Sequence, residues 1–173
     1  MVGTKDKTVI ILNGHPRSGK TTVAKMLQDE YGATIRSSID FVKEMAEVYF
    51  DWNGSKTEGN RKFLSDFKMF LSEHTQLIED DLDTYRRVFN HSNDEFYIID
   101  IREPEEIEKF KERYSAVTVF VDNPRAEKVT SNSSDANVLG IEYDYTIDNW
   151  GSLEGLKLEV DRFVMENRIQ NRG

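Results

Sequence analysis

Eight consecutive residues, Gly14-His15-Pro16-Arg17-Ser18-Gly19-Lys20-Thr21, have the types and the spacing to hold a chain of phosphates. They satisfy G-x-x-x-x-G-K-[ST], in which the glycines let backbone N–H groups turn inward around an anion. In that pattern Lys20 reaches the β- and γ-phosphates of a nucleotide and Thr21 offers its hydroxyl to Mg²⁺. A helix opening near Lys20, with Thr22 in its first turn, adds its positive end. A chain of this composition matches the pattern by chance roughly once in 200 sequences. His15 either meets a phosphate or caps the loop. Arg17 and Lys20 concentrate positive charge locally, which a protein of net charge −9 needs if it is to hold a polyanion.

A second candidate is Asp100, which closes the apolar run Phe96-Tyr97-Ile98-Ile99. A carboxylate at the end of a buried strand can hold Mg²⁺ directly or through water, and otherwise forms a turn. Arg102, two residues on, alternates to the same side; it either stabilises charge or pairs with Glu105 or Glu106. Arg36, Asp40 and Lys43 stand either at the rim where a phosphate acceptor would dock or on an exposed helix face, and Arg61, in a small basic cluster with Lys56 and Lys62, either binds an acceptor phosphate or opens a solvated helix. A closing lid is expected over residues 122–142, with Arg125 and Lys128 as its only cations. Arg17, Arg102 and Arg125 would then share the stabilisation of a transferring phosphoryl group.

These residues need elements to position them. Thr8-Val-Ile-Ile-Leu12 is a continuous β-branched and apolar run bounded by Gly14, as expected of a strand buried on both faces of a parallel sheet. Val23, Met26 and Leu27 continue with helical spacing until Gly32, and residues 33–36 form a short second strand. A helix is expected over residues 38–50, ended by Asp51-Trp-Asn-Gly54. Phe63 to Phe89 sustain helical spacing through one long helix or two stacked ones, with the apolar stripe as core. Strands at 95–101 and 116–121 enclose a charged helix carrying Ile107 and Phe110. A last strand at 143–147 and an amphipathic helix at 153–165 complete the order. Strands alternating with helices imply a three-layer α/β fold, a parallel sheet of about five strands flanked by helices, with the ligand at the carboxyl ends of the strands.

The chain's 173 residues suit one domain, with a helical acceptor-binding region at about 37–92. Hydrophobic residues make up 38% and charged residues 32%, with no apolar stretch long enough to span a membrane. Zero cysteines exclude disulfides and thiolate metal sites, and three scattered histidines argue against a histidine-built one. The net charge of −9 opposes extended nucleic-acid binding and adhesion to an anionic membrane. Residues 1–7 are polar and lead into an apolar stretch too short for a secretory leader, so a cytoplasmic location is the expectation. A homodimer is compatible with the sequence.

With these motifs in place, the chain resembles the P-loop nucleoside monophosphate kinase superfamily. More narrowly it is similar to the deoxynucleoside monophosphate kinases of phages, with animal-type phosphomevalonate kinase as a relative. The resemblance rests on residues 14–21, on Ser38-Ile-Asp40-Phe-Val-Lys43-Glu44, and on Asp51-Trp-Asn-Gly54 with Lys56, Arg61 and Leu64. Asp100-Ile-Arg102-Glu-Pro-Glu-Glu106 and Asp144-Tyr-Thr-Ile-Asp-Asn149-Trp-Gly-Ser-Leu-Glu154 complete it. It implies transfer of the γ-phosphoryl group of ATP, with Mg²⁺, to a small phosphorylated acceptor such as a deoxynucleoside monophosphate. It places Asp40 and Lys43 toward the acceptor, Asp100 near the metal and Arg102 near the phosphates.

An acceptor phosphate is already an anion and needs no general base, whereas an alcohol would need one, for which Asp40 is the candidate. Two other readings stand beside this one: a nucleotide-dependent switch or regulatory ATPase, and a non-catalytic protein using the loop as structure. The D-x-x-G matches at Asp51 and Asp148 do not follow the metal-side strand, and no Asn-Lys-x-Asp guanine signature is present.

Overall fold

A computed structural model describes residues 7–126 and 140–170. Its centre is β1 (Thr8–Asn13), buried along its whole length, as the uninterrupted apolar run requires. The strands β2 (Ala33–Ser37), β3 (Phe96–Asp100), β4 (Val117–Asp122) and β5 (Tyr145–Asp148) join it in the order β2-β3-β1-β4-β5, with every pairing parallel. Helices α1 (Lys20–Tyr31), α2 (Asp40–Phe50), α3 (Glu58–His74), α4 (Leu77–His91), α5 (Pro104–Tyr114) and α6 (Leu153–Gln170) supply the outer layers. The expected three-layer α/β architecture is therefore present.

Alternation along β1 divides the core. Ile10 and Leu12 face Val23 and Leu27 of α1 and Leu156, Val160 and Phe163 of α6, whereas Val9 and Ile11 face the side of α2 to α5, with Val42, Leu71, Leu82, Phe89 and Phe110. Burying each such side chain fully contributes about 1.5–3 kcal/mol.

The stripe from Phe63 to Phe89 is two helices. Thr75 adopts an extended conformation, its backbone N–H and its hydroxyl both bond the Leu71 carbonyl (3.0 and 2.6 Å), and its Oγ1 then accepts from the N–H of Leu77. α3 also starts earlier than the apolar spacing indicates, because Thr57 caps it by accepting from the N–H of Asn60. The stripe is only partly core: Leu71, Ile78, Leu82 and Phe89 are buried, but Phe70 and Leu77 are exposed. No helix among the described residues is long and apolar enough to cross a membrane.

α3 is fastened to α5 by a polar clamp. Lys68, buried although charged, donates to Glu103 at 2.7 Å and Glu106 at 2.8 Å. Burial pushes the Glu106 carboxyl up to about 6, against the pull of Lys68 and with the repulsion of Glu103. For Glu103, burial is outweighed by Lys68, which holds it below the ordinary value. The partner of Glu106 is thus Lys68 and not the neighbouring Arg102 that the sequence offered.

Candidate active site

The residues 14–19 connect β1 to α1 at the carboxyl edge of the sheet, and their backbone explains the two glycines. Gly14 has φ 152°, and a Cβ there would come within 2.6 Å of both Ser18 Oγ and the Val121 carbonyl. Gly19, at φ 106°, would place its Cβ 2.5 Å from the amide of Asn149. Arg17 also has positive φ, at 63°, a strained conformation for a residue with a side chain. The N–H of Ser18 closes the turn onto the His15 carbonyl at 3.1 Å.

Lys20 lies folded over this loop, its Nζ donating to the carbonyls of Gly14 (2.6 Å) and His15 (3.2 Å). An anion held by the loop would offer the same ammonium a stronger, charged acceptor. Thr21 and Thr22 stand in the first turn of α1, Thr21 exposed and Thr22 half-buried. Arg17 is exposed, and Pro16 is half-buried. The His15 ring is buried edge-on against Phe120 at 5.9 Å, with neither ring nitrogen hydrogen-bonded, so packing fixes it.

Asp100 ends β3 beside Leu12 of β1, the strand that feeds the loop. Its Oδ1 is buried without a hydrogen-bond partner. Burial pushes its carboxyl above the ordinary value, opposed by Lys20 and Arg102 and reinforced by Asp40. A buried acceptor with no donor, near the loop lysine, suits a divalent cation. The residues therefore fit Mg²⁺, which Asp100 and the hydroxyl of Thr21 would hold. Among the described residues no cluster of three or more His, Cys, Asp or Glu could hold a metal ion, so phosphates and water would complete its shell.

On the acceptor side the structure separates the expected residues. Asp40 opens α2, its Oδ2 accepting from the Ser37 N–H (2.8 Å) and its Oδ1 lying 3.5 Å from Lys43 Nζ. Both sit within electrostatic reach of Asp100. Arg36 is turned inward. It is 6% exposed, forms bidentate pairs with Glu44 (2.6 and 2.9 Å) and Asp81 (2.7 and 2.9 Å), and stacks over Tyr85. Its guanidinium is raised further above its ordinary value, first by the Glu44 hydrogen bonds. Four of its five N–H groups are used in joining β2, α2 and α4, so the expected rim cation acts as a structural tie.

Arg61 is exposed in the first turn of α3, next to Asn60. Asn60 lines a groove of about 330 Å³ with Phe50, Trp52 and Phe63, at the end of α2 remote from Asp40. The helix rise puts that end about 15 Å from Asp40. A larger groove of about 700 Å³, between Arg86 and Arg87 of α4 and Arg113 of α5, also lies away from the loop. Arg102 is exposed just beyond β3 and attracts Asp100. Arg125 is exposed in a turn that Asn123 Oδ1 holds by accepting from its N–H. Most of the expected lid, residues 127–139, lies outside the described residues.

Two asparagines that sequence reasoning did not assign to the loop hold it in place. Asn13 Oδ1 accepts from the Gly14 N–H at 2.7 Å, and Asn149 Nδ2 donates to the Ser18 carbonyl at 2.8 Å. Asn149 is positioned by its own N–H, which bonds the Asp122 carbonyl at 2.7 Å. Their placement at strand ends flanking the loop was the only signal, and turn-forming asparagines give the same one.

The architecture matches that of solved kinases. A shikimate kinase from Aquifex aeolicus superposes over 94% of this chain and 99% of its own, with a TM-score of 0.53 and 15% identity. The dephospho-CoA kinase from Campylobacter jejuni gives 0.53 at 16% identity, over 92% of this chain and 97% of that one. TT1252 from Thermus thermophilus gives 0.51 at 20%, over 94% and 98%. Neither a protein-family model nor a curated protein matches the sequence. At these identities the likeness is one of fold: the chain has the three-layer α/β fold of these kinases.

Proposed function

We propose that the protein is a phosphotransferase that moves the γ-phosphoryl group of ATP to a small phosphorylated acceptor, a deoxynucleoside monophosphate being the leading candidate. The observation that carries this is the pairing of the Gly14–Thr21 loop with Asp100, whose unpartnered buried oxygen lies in the field of Lys20. When bound, Mg²⁺ would supply charge neutralisation between the β- and γ-phosphates. Lys20 exchanges its carbonyl partners for phosphate oxygens. An acceptor phosphate oxygen forms the new bond to the γ-phosphorus, the bond to the β–γ bridging oxygen breaks, and ADP leaves. No proton need be removed. Lys43 and Arg102 are the cations available to orient the acceptor and absorb charge.

A second reading is favoured by one observation: Arg36, the most buried cation at the acceptor side, is committed to Glu44 and Asp81. With that anchor removed, an acceptor hydroxyl becomes the competitor, its proton passing to Asp40.

The test is ADP release from ATP and Mg²⁺ across deoxynucleoside and ribonucleoside monophosphates, phosphomevalonate, shikimate and an acceptor-free control, with product masses. Acceptor-dependent release, lost in Lys20→Ala, supports phosphotransfer and names the acceptor. In Asp40→Asn, a large fall in kcat at unchanged acceptor KM favours the hydroxyl, and a raised acceptor KM favours the phosphate. Acceptor-independent release, or nucleotide binding without turnover, would instead favour a regulatory ATPase or a non-catalytic protein.

A further inference from the structure

Asn13 ends β1 fully buried, and its amide is engaged at both heads: Oδ1 accepts from the Gly14 N–H at 2.7 Å, and Nδ2 donates to the Tyr143 hydroxyl at 3.0 Å. An amide can sit in such a slot two ways. Flipped, its NH₂ would face the Gly14 N–H, donor against donor. The Gly14 N–H, a donor only, therefore selects the orientation, and the Tyr143 oxygen, by accepting from Nδ2, anchors the amide in it. Tyr143 is itself held by stacking on Phe120 (ring centroids 5.0 Å, 33°), and His15 meets that same Phe120 ring edge-on. The first two residues of the loop therefore rest on one packed assembly whose far member, the half-buried Tyr143, lies 130 positions from Asn13. Burial pushes the phenol of Tyr143 up to about 12, so it stays neutral through the physiological range.

We infer that Tyr143 is a positioning residue for nucleotide binding, setting the start of the phosphate loop through the side-chain amide of Asn13. The inference rests on the proposed function only in taking the loop as the nucleotide site. Tyr143 touches the loop through Asn13, so its loss acts without removing a ligand contact.

The experiment measures the Kd of ADP and of ATP with Mg²⁺ by calorimetry for wild type, Tyr143→Phe, Asn13→Ala and the double variant. Tyr143→Phe keeps the ring on Phe120 and removes only the hydroxyl. It is expected to raise Kd roughly three- to tenfold, the range that one buried hydrogen bond spans. Asn13→Ala should do at least as much, and the double variant should bind no more weakly than Asn13→Ala alone. In turnover the Tyr143→Phe loss should fall on the KM for ATP, with kcat and the acceptor KM unchanged. Hydrogen exchange at the Gly14 amide supplies a readout independent of nucleotide and should quicken in Tyr143→Phe. An unchanged Kd in Tyr143→Phe, additive losses in the double variant, or unaltered Gly14 exchange overturns the inference while leaving phosphotransfer intact. A wild-type chain that binds neither nucleotide overturns the proposed function and this inference together.

Discussion

The side-chain amide of Asn149 donates to the Ser18 carbonyl across 131 positions of sequence, so the end of β5 holds the phosphate loop directly. Asn149→Ala leaves that carbonyl without its amide partner and frees the loop to sample conformations that do not grip phosphate. The expected result is a KM for ATP raised roughly three- to tenfold, corresponding to one hydrogen bond, with the acceptor KM unchanged in steady-state kinetics. Gly19→Ala should be more severe, because its Cβ would collide with the same amide in a backbone conformation that disfavours any side chain.

Removing Lys20 takes away the cation that the loop keeps nearest its centre. Lys20→Ala should lower kcat on the order of 100-fold or more, the scale seen when one preorganised charge or donor is lost from a transition state. Rapid-quench measurement of a single turnover isolates the chemical step from product release.

Asp100 illustrates a residue whose placement opposes stability. Its carboxyl titrates above the unfolded value of 3.8, so the folded state binds that proton more tightly than the unfolded chain. The cost of keeping it ionised is present above its folded pKa and disappears below 3.8. Asp100→Asn should therefore raise the melting temperature of the nucleotide-free protein at pH 7–8, lose that advantage at pH 3.5, and abolish Mg²⁺-dependent turnover. Melts across that pH range, with activity assayed in parallel, check both halves.

The Lys68 clamp titrates near a testable value. With Glu106 raised from 4.5 to about 6, its ionisation opposes folding increasingly between those two values and fully above them, and Lys68 limits the penalty for both glutamates. Lys68→Gln leaves the half-buried Glu106 and the more exposed Glu103 without their shared cation. Urea unfolding should find it destabilised by roughly 3 kcal/mol at pH 8 and much less at pH 5, where protonation relieves them. A loss independent of pH would count against the clamp.

Arg36→Met should be destabilising at neutral pH by roughly 3 kcal/mol, since it strands Asp81 beside a half-exposed Glu44. Acceptor KM should change less than stability if Arg36 serves the fold alone.

The inner strands β1, β3 and β4 were legible because burial on both faces leaves nearly unbroken apolar runs, and the phosphate loop because only glycine tolerates its backbone at residues 14 and 19. What stayed hidden depends on tertiary partners. The apolar spacing runs through Thr75 undisturbed, so nothing local announces that its hydroxyl will end α3. Arg36 reads as a solvent-facing cation until the fold delivers Asp81 from 45 positions away. Asn13 and Asn149 look like turn formers, and the grip of Asn149 on the loop exists only once β5 has joined the sheet. Phe70 and Leu77 fit the helical stripe yet stay exposed, because spacing identifies a face without showing what covers it.

The sheet order has a consequence for descent. Everything between β2 and β3, residues 38–95, leaves one strand and returns to its immediate neighbour, carrying α2, α3 and α4 as a single excursion. The loop, its two asparagines and β1 lie outside that excursion. Lineages can therefore remodel α2, α3 and α4 by drift, insertion or recombination while β1, the loop and its two asparagines are inherited intact, provided that Arg36 and Lys68 keep partners at the two seams.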